Sequence, residues 1–311
     1  MLKRIGLLIL SLLLMTGYTT PTKEQSFNIV VTNFPCYDFV RAITKNDPDI
    51  SIKMLIKPGM DSHSYEPTPQ DMVAIKESDL FFYVGGESDD WVGSLLADMN
   101  PKRIVKMLDL VSNLKLEEHV EGMEEEKHEE HDEHEEEYDE HVWTSPKNTM
   151  EIVEGLNKRM CALDKNHASK FNKNTENYIE QIASVDYSFK QVVKNAKRKD
   201  IVVGDRFPLL YFAKEYGLTY SAAFPGCSEQ TEPSAATISY LIDKVKKDHN
   251  PAIFKIELSN GQIARTISEE TGTKVLTIQS MHNVSAEDFN NGETYVSIMR
   301  KNVKAVKEAL Q

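Results

Sequence analysis

Short apolar runs alternate along the chain with segments of helical periodicity, separated by Gly, Pro or Asn turns. Three runs lie in the first third of the chain and four follow residue 200. They span residues 27–32, 51–56, 79–84, 201–203, 218–224, 252–258 and 274–278. Runs of this length and composition predict strands, and their alternation with helices predicts parallel sheets with helices on their faces. We therefore expect two α/β lobes.

A single long helix is predicted between the two series of strands. Residues 168–196 contain no Gly or Pro, and apolar side chains recur there at spacings of seven, four and three. These side chains are Phe171, Tyr178, Ile182, Val185, Phe189, Val192 and Ala196. At ~1.5 Å per residue the helix would be roughly 43 Å long, enough to run along both lobes. An ordinary core helix would show the same stripe, so the bridging role rests on its position.

The predicted fold is therefore α/β, with two Rossmann-like lobes that contain parallel sheets and are joined by one long bridging helix. The 311 residues, 40% of them hydrophobic, are enough to bury such a core. We expect an export signal at residues 1–24, the N-terminal lobe at 25–165, the bridging helix at 166–197 and the C-terminal lobe at 198–311.

The first residues have the pattern of a signal peptide. Lys3 and Arg4 precede an apolar run, residues 5–15, that is too short to span a bilayer as a permanent helix. The run ends in a pattern that resembles a lipoprotein signal, but Tyr18 stands where that signal has the Cys that carries the lipid. The protein is then secreted or anchored to the membrane by an uncleaved signal. Alternatively, a substitution at this residue distinguishes it from related proteins that carry the Cys. Each alternative predicts an extracytoplasmic protein.

The acidic residues are concentrated between Glu117 and His141. This stretch holds fifteen of the 49 Asp and Glu residues and one basic residue, Lys127, so the rest of the chain is nearly neutral despite a net charge of -13. Like charges at this density cannot offset the entropy of ordering, and residues 117–140 are predicted to be a mobile surface loop. The lack of a basic stripe disfavours a nucleic-acid partner.

Two segments carry candidate chemistry, each with a histidine beside a predicted helix. In residues 58–69, PGMDSHSYEPTP, His63 lies between a strand and a helix, where open α/β sheets bind ligands. In residues 139–146, DEHVWTSP, His141 leaves the acidic stretch just before a predicted helix. A lone histidine is more often a surface or core residue than a ligand. The surrounding residues therefore decide whether each histidine is a candidate metal ligand.

Together these segments resemble the metal-binding receptors of the zinc and manganese ABC importers, the cluster A-I family. That family has a Pro-Gly-x-Asp-x-His-x-Tyr-Glu-Pro-Thr motif with the first metal ligand and an Asp-x-His-x-Trp-x-Ser-Pro motif with the second, which His63 and His141 match. The resemblance covers nearly the whole mature chain. It implies that a divalent transition metal, zinc or else manganese, binds between the lobes and that an ABC permease in the cytoplasmic membrane is the partner. We expect a monomer.

The resemblance fails at the third ligand position. The family has a His or Glu five residues before the tyrosine that corresponds to Tyr211, and this chain has Arg206 there. A guanidinium stays protonated and cannot bind a metal. Its neighbour Asp205, at the end of a predicted strand, is the natural substitute. Alternatively, Asp205 caps the helix that follows.

The fourth family ligand is an Asp or Glu at or just after the late strand, residues 252–258. Glu257 is the nearest candidate, although a shift of one residue would turn it to the opposite face. His282, just past the next strand, and Glu232 are rival candidates. The predicted metal ligands are His63, His141, Asp205, Glu257 and His282.

The acidic stretch also contains His128, His131 and His134, a composition that binds metals weakly. Zinc receptors of the resembled family often carry such a loop, which favours zinc. A solvated charge run with incidental histidines is the alternative.

Two other classes of function fit parts of the sequence. The stretch His128-Glu129-Glu130-His131 resembles a metalloprotease motif, but its histidines are three residues apart and that motif needs four. We therefore expect no enzyme. A surface adhesin or a metal buffer would need only the charged loop and no cleft. A single tight site that survives deletion of the loop would indicate a receptor.

Overall fold

The computed structural model describes residues 27–45, 47–124, 137–228, 230 and 232–311. The predicted export signal, Tyr18 and the run His128, His131 and His134 lie outside these residues. Within the described part, eight strands form two four-stranded sheets. None of the helices found there combines the length and the apolar composition that crossing a bilayer requires.

The first sheet contains four parallel strands in the order β2-β1-β3-β4. These strands are β1 Phe27–Val31, β2 Ile50–Met54, β3 Leu80–Tyr83 and β4 Ile104–Lys106. Helices α1 Phe34–Thr44, α2 Pro69–Glu77 and α3 Gly93–Leu96 connect them. The sequence pattern does not predict β4, because three residues carry too little periodicity to be recognised.

The second sheet is also parallel and has the order β6-β5-β7-β8. Its strands are β5 Asp200–Arg206, β6 Thr219–Phe224, β7 Ala252–Lys255 and β8 Lys274–Thr277. The accompanying helices are α6 Leu210–Tyr216, α7 Ala235–Asp248, α8 Gln262–Thr271, α9 Ala286–Asn290 and α10 Tyr295–Ala309. Both sheets have the same kind of crossover, so each lobe is a Rossmann-like unit.

A long helix joins the two lobes. Helix α4, Pro146–Leu163, is followed by α5, Ala168–Lys194, which is 27 residues long. The apolar stripe of α5, which includes Phe171, Ile182 and Phe189, is buried. Helix α5 packs against α1, α4, α6 and α10. The predicted fold class, two parallel α/β lobes with a bridging helix, is confirmed.

The end of the chain returns to the first lobe before α10 begins. The Arg41 guanidinium donates to the carbonyl oxygen of Glu293 at 2.7 Å, and the backbone N–H of Tyr295 donates to Asp38 Oδ2 at 2.8 Å. The hydroxyl of Tyr178 on α5 donates to the same oxygen at 2.7 Å. One buried carboxylate therefore links α1, the bridging helix and α10.

The first part of the acidic stretch is not the free loop that the sequence predicts. Residues 115–124, here called the acidic strap, lie across the second lobe. The Glu118 carboxylate pairs with Lys214 at 2.6 Å, and Glu117 Oε1 accepts the backbone N–H of Cys227 at 3.1 Å. Glu124 Oε2 accepts the backbone N–H of Ser234, the N-cap of α7, at 2.7 Å. The prediction of a mobile loop is wrong for the strap, because three of its carboxylates have individual partners.

The other end of the stretch returns beside the strap. Leu116 and Tyr138 form an antiparallel bridge, and the N–H of Glu117 donates to the carbonyl oxygen of Glu137 at 3.0 Å. Asp139 N donates to the carbonyl oxygen of Lys115 at 2.9 Å. This pairing holds the start of the second histidine motif.

Candidate metal centre

His63 lies in the loop between β2 and α2. The loop turns at Gly59, whose φ of 86° lies in the left-handed region that a glycine adopts without strain. Asp61 then closes a local turn, because its Oδ1 accepts the backbone N–H of His63 at 3.1 Å. His63 Nδ1 lies 3.1 Å from the hydroxyl oxygen of Ser88. The imidazole is thus held through both its backbone and its ring.

Glu140 and His141 precede α4 and are both 0% exposed. Asp139 Oδ1 accepts the backbone N–H of His141 at 2.8 Å and lies 3.2 Å from His141 Nδ1. When the neutral imidazole donates its Nδ1–H to this carboxylate, Nε2 keeps its lone pair. Among the described residues, nothing hydrogen-bonds to the buried Nε2. A buried nitrogen without a partner is costly, and a metal ion would satisfy it.

His282 reaches the same place from the second lobe, in the loop after β8. Its Nε2 lies 3.2 Å from Glu140 Oε1. Its ring centroid is 4.8 Å from that of His63 and 4.9 Å from that of His141. The Trp143 indole N–H donates to the carbonyl oxygen of Ser280 at 2.7 Å, which joins the loop of His282 to the turn after His141.

The four side chains form one group of possible ligands. One ligand atom from each of His63, Glu140, His141 and His282 lies within 4.8 Å of the others. Around a tetrahedral zinc ion with bonds of about 2.0–2.2 Å, ligand atoms are about 3.3–3.6 Å apart. Small side-chain movements would therefore bring all four atoms to bonding distance. Three imidazoles and one carboxylate suit zinc.

The electrostatics of this group favour a cation. Burial and the neighbouring His282 lower the pKa of His63 to about 3, and burial also lowers the pKa of His282. Burial opposes ionisation of Glu140, but its hydrogen bond with His282 and the nearby imidazoles hold its pKa below the usual value. Burial also opposes protonation of His141, yet the Asp139 carboxylate raises its pKa. The ionised Glu140 carboxylate and the neutral imidazoles of His63 and His282 are the protonation states that bind a metal ion.

Asp205, a predicted ligand, lies near the end of β5 and outside this group. It lines a cavity of about 650 Å³ that two of the histidines also line. Its Oδ1 accepts the backbone N–H of Arg206 at 3.1 Å, and burial raises its pKa. Helix α6 has Leu209 as its N-cap. The alternative that Asp205 caps this helix is therefore wrong.

Glu257, the other carboxylate among the predicted ligands, also lies outside the group. It follows β7, and its carboxylate accepts the backbone N–H and the hydroxyl of Ser280 at 2.7 and 2.6 Å. It also accepts the backbone N–H of His282 at 3.2 Å. Burial raises its pKa, while the hydrogen bonds from Ser280 oppose that shift. Glu232, the remaining rival candidate, lines the cavity.

Arg206 also lines the cavity. Its Nη2 donates to Asp61 Oδ2 at 3.2 Å, and its Nη1 donates to the carbonyl oxygen of Ser228 at 3.3 Å. Because Asp61 also holds the backbone of His63, a cation of the second lobe is tied to a ligand loop of the first.

The sequence motifs do not point to Glu140. It occupies the variable position of the second motif, at the end of a run of acids, so nothing in its neighbours distinguishes it. The structure fixes it through Ser88, whose hydroxyl donates to Oε1 at 2.6 Å and whose N–H donates to Oε2 at 3.1 Å. The only local signal is its position directly before a motif histidine.

A second group with ligand-type side chains contains Asp47, Asp49 and His167. The ammonium of Lys170 lies 2.5 Å from Asp47 Oδ2, and His167 Nδ1 lies 2.6 Å from Asp164 Oδ2. The Asp47 carboxylate thus already has a cationic partner, Lys170. This group is therefore an ion-pair cluster beside the start of α5.

Comparisons with known proteins agree with this geometry. The model of the family described as zinc-uptake complex component A, periplasmic (ZnuA), matches residues 29–309. The zinc-binding lipoprotein AdcA of Streptococcus pneumoniae is 32% identical over 310 residues, which are 99% of this chain and 61% of AdcA. The chain therefore spans less than two thirds of that relative. The high-affinity zinc uptake system protein ZnuA of Bacillus subtilis is 31% identical over 295 residues, 95% of this chain and 91% of that protein.

Solved structures show the same fold. The Zn(II)-bound ZnuA-like domain of Streptococcus pneumoniae AdcA has a TM-score of 0.74 at 30% identity, with 92% of this chain and 99% of that domain covered. The metal-dependent lipoprotein YcdH from Bacillus subtilis has a TM-score of 0.75 at 27% identity, covering 91% of this chain and 99% of that one. The chain belongs to the ZnuA family of periplasmic zinc-uptake components.

Proposed function

We propose that this chain is the extracytoplasmic solute-binding protein of an ABC importer, which binds Zn²⁺ between its lobes and delivers it to the membrane permease. The observation that carries this proposal is the group of His63, Glu140, His141 and His282, whose ligand atoms lie within 4.8 Å of one another. Loops of both lobes supply the group, so a bound ion would tie the lobes together. The buried Nε2 of His141 supports the same assignment.

Zinc is the proposed ion, and manganese is the alternative. Neutral imidazoles suit zinc, whereas manganese favours carboxylates, carbonyls and water. The group offers three imidazoles for one carboxylate. The names of the relatives AdcA and ZnuA also refer to zinc.

The family supports the proposed location and the proposed partner. Its description is periplasmic, and AdcA is a lipoprotein, which supports an extracytoplasmic chain with an ABC permease as partner. Residues 1–24 are the proposed export signal, and the proposed lobes are residues 25–165 and 198–311 around a bridging helix at 166–197. We expect the receptor to be a monomer.

A receptor fits the site better than the other classes of function. A buffer or adhesin that used only the charged loop would need no group of buried ligands, yet Glu140 and His141 are fully buried. A catalytic zinc keeps an open position for water. Four protein ligands would fill a tetrahedral ion, which supports transport rather than hydrolysis.

Competitive zinc titration of the purified full chain tests the proposal. We expect one tight site, and we expect His282→Ala and Glu140→Gln each to weaken it by roughly a hundredfold or more, because each removes one of about four bonds. Asp205→Asn, in the same cavity but outside the group, is the matched control and should change the affinity by less than about threefold. Wild-type affinity in both ligand variants would refute this ligand set.

A further inference from the structure

The loop of His282 has a backbone conformation that its own residues do not favour. His282 is the single member of the ligand group that follows the bridging helix in the chain. It comes directly after Met281, which has a φ of 62° although it is not a glycine. A left-handed conformation at such a residue persists only when the surrounding structure imposes it. Contacts around this loop must therefore hold it.

The first such contact is Glu257. Its carboxylate accepts the two hydrogen bonds from Ser280 and the bond from the backbone N–H of His282. These three donors stand on both sides of Met281. Leu258, next to Glu257, also has a positive φ of 61°. The segment that carries Glu257 and the loop that it contacts thus each contain one residue with strained backbone.

The second contact is Asn283, which is 2% exposed. Its side-chain amide donates to the carbonyl oxygens of Lys57 and Met60 at 2.7 and 2.8 Å. Both carbonyls belong to the loop of His63. In the same place the N–H of Gly59 donates to the carbonyl oxygen of Val284 at 2.8 Å.

We propose that Glu257 and Asn283 are positioning residues that set the His282 imidazole against the His63 imidazole. Glu257 fixes the loop to the second lobe, and Asn283 fixes it to the ligand loop of the first lobe. The spacing of 4.8 Å between the His63 and His282 ring centroids is the result. This inference rests on the proposed metal site and adds the residues that shape it. Partners of metal ligands typically change affinity by about 10–100-fold when they are altered.

The test uses Asn283→Asp, which keeps the shape of the side chain but replaces two donors with an acceptor facing two carbonyls. We expect zinc affinity of the full chain to fall about 10–100-fold. The visible absorption of bound Co²⁺ should lose intensity, because a misplaced His282 leaves the four-coordinate geometry. Asn157→Asp is the matched control: Asn157 is 8% exposed and donates to Asn172 at 2.7 Å between α4 and α5. This variant should keep both the affinity and the spectrum.

A double variant separates positioning from general damage. If Asn283 acts through His282, then His282→Ala combined with Asn283→Asp should bind zinc as weakly as His282→Ala alone. Additive losses would overturn the proposal, and so would a folded Asn283→Asp with wild-type affinity. If Asn283→Asp does not fold, Glu257→Gln is measured in the same cycle with the same two outcomes. Unchanged affinity in His282→Ala would instead refute the proposed ligand set.

Discussion

Two strained backbone positions lie close to the group of possible metal ligands. Among the described residues, four that are not glycine have positive φ. Lys45 and His249 are the C-caps of α1 and α7, where a left-handed residue is common. Leu258 and Met281 have no such role: Leu258 follows Glu257, which contacts the loop of His282, and Met281 lies in that loop. Strain of this kind collects at functional sites because the surrounding contacts can maintain it.

Replacing Leu258 with glycine should stabilise the protein. Its side chain is 48% exposed, so little apolar burial is lost, while a left-handed conformation costs a leucine about 1–2 kcal/mol. The greater backbone freedom of glycine in the unfolded chain offsets about 0.4–1 kcal/mol. We expect Leu258→Gly to raise the free energy of unfolding by about 0.5–1 kcal/mol in urea titrations. Leu116→Gly, at a leucine that is 39% exposed without positive φ, is the control and should lower it. Equal losses in both variants would contradict the role of strain.

The sequence motifs bring His63 and His141 into the same candidate group, because each motif carries its own local turn. His282 is predicted from the sequence as a rival to Glu257 and is counted among the predicted ligands, whereas Glu140 is not predicted at all. The direction of the Glu257 side chain depends on the strand register, because a shift of one residue turns the side chain to the opposite face. The contacts of these three residues come from chain segments far apart in sequence, which a pattern along the chain cannot show.

At the scale of elements, the regular strands and helices follow the sequence pattern and the acidic strap does not. The runs at 27–32 and 218–224 are long and apolar enough to specify strands, whereas β4 is too short. Composition predicts disorder for residues 117–124 because it counts charges without their partners. The partners are a lysine, backbone N–H groups and the start of α7, all distant in sequence.

The contact of the strap with α7 should contribute measurably to stability. Glu124 Oε2 accepts both the N–H of Ser234 and the hydroxyl of Thr237 at 2.7 Å, at the helix end where a negative charge is favourable. We expect Glu124→Gln to lower the free energy of unfolding by about 0.5–2 kcal/mol. Glu121→Gln, at an exposed acid of the same strap, should have little effect in the same urea titration. A strap that is free in solution would give the same small change for both variants.

At the scale of the whole molecule, single contacts between the lobes join them in addition to the bridging helix. The two-lobe fold is predictable because it depends on the period of each segment. The way in which the lobes meet is not, since it depends on single pairs such as Trp143 with Ser280 and Arg206 with Asp61. The family resemblance leads one to expect a ligand at Arg206, and the structure has an ion pair between the lobes there.

The charge of Arg206 should limit how tightly the site holds a cation. The guanidinium lines the same cavity as His63 and His282, and it contributes to the lowered pKa of both imidazoles. The loop of His63 is also held by hydrogen bonds from Asn283, and these bonds do not involve Arg206. Loss of repulsion should therefore outweigh loss of the partly exposed ion pair, which contributes about 0–1 kcal/mol.

We accordingly expect Arg206→Gln to bind zinc roughly three- to tenfold more tightly than the wild type, with the larger gain at low salt, because salt screens the repulsion. Asp61→Asn should act in the opposite direction, since it leaves the guanidinium without its neutralising partner and removes a negative charge near the ion. Arg206→Lys keeps the charge and serves as the control, with an affinity close to that of the wild type. Competitive titrations of the three full-length variants at low and at high salt measure these differences. If Arg206→Gln and Asp61→Asn weaken binding equally, the ion pair acts mainly as a tie that orients His63, and repulsion is the smaller effect.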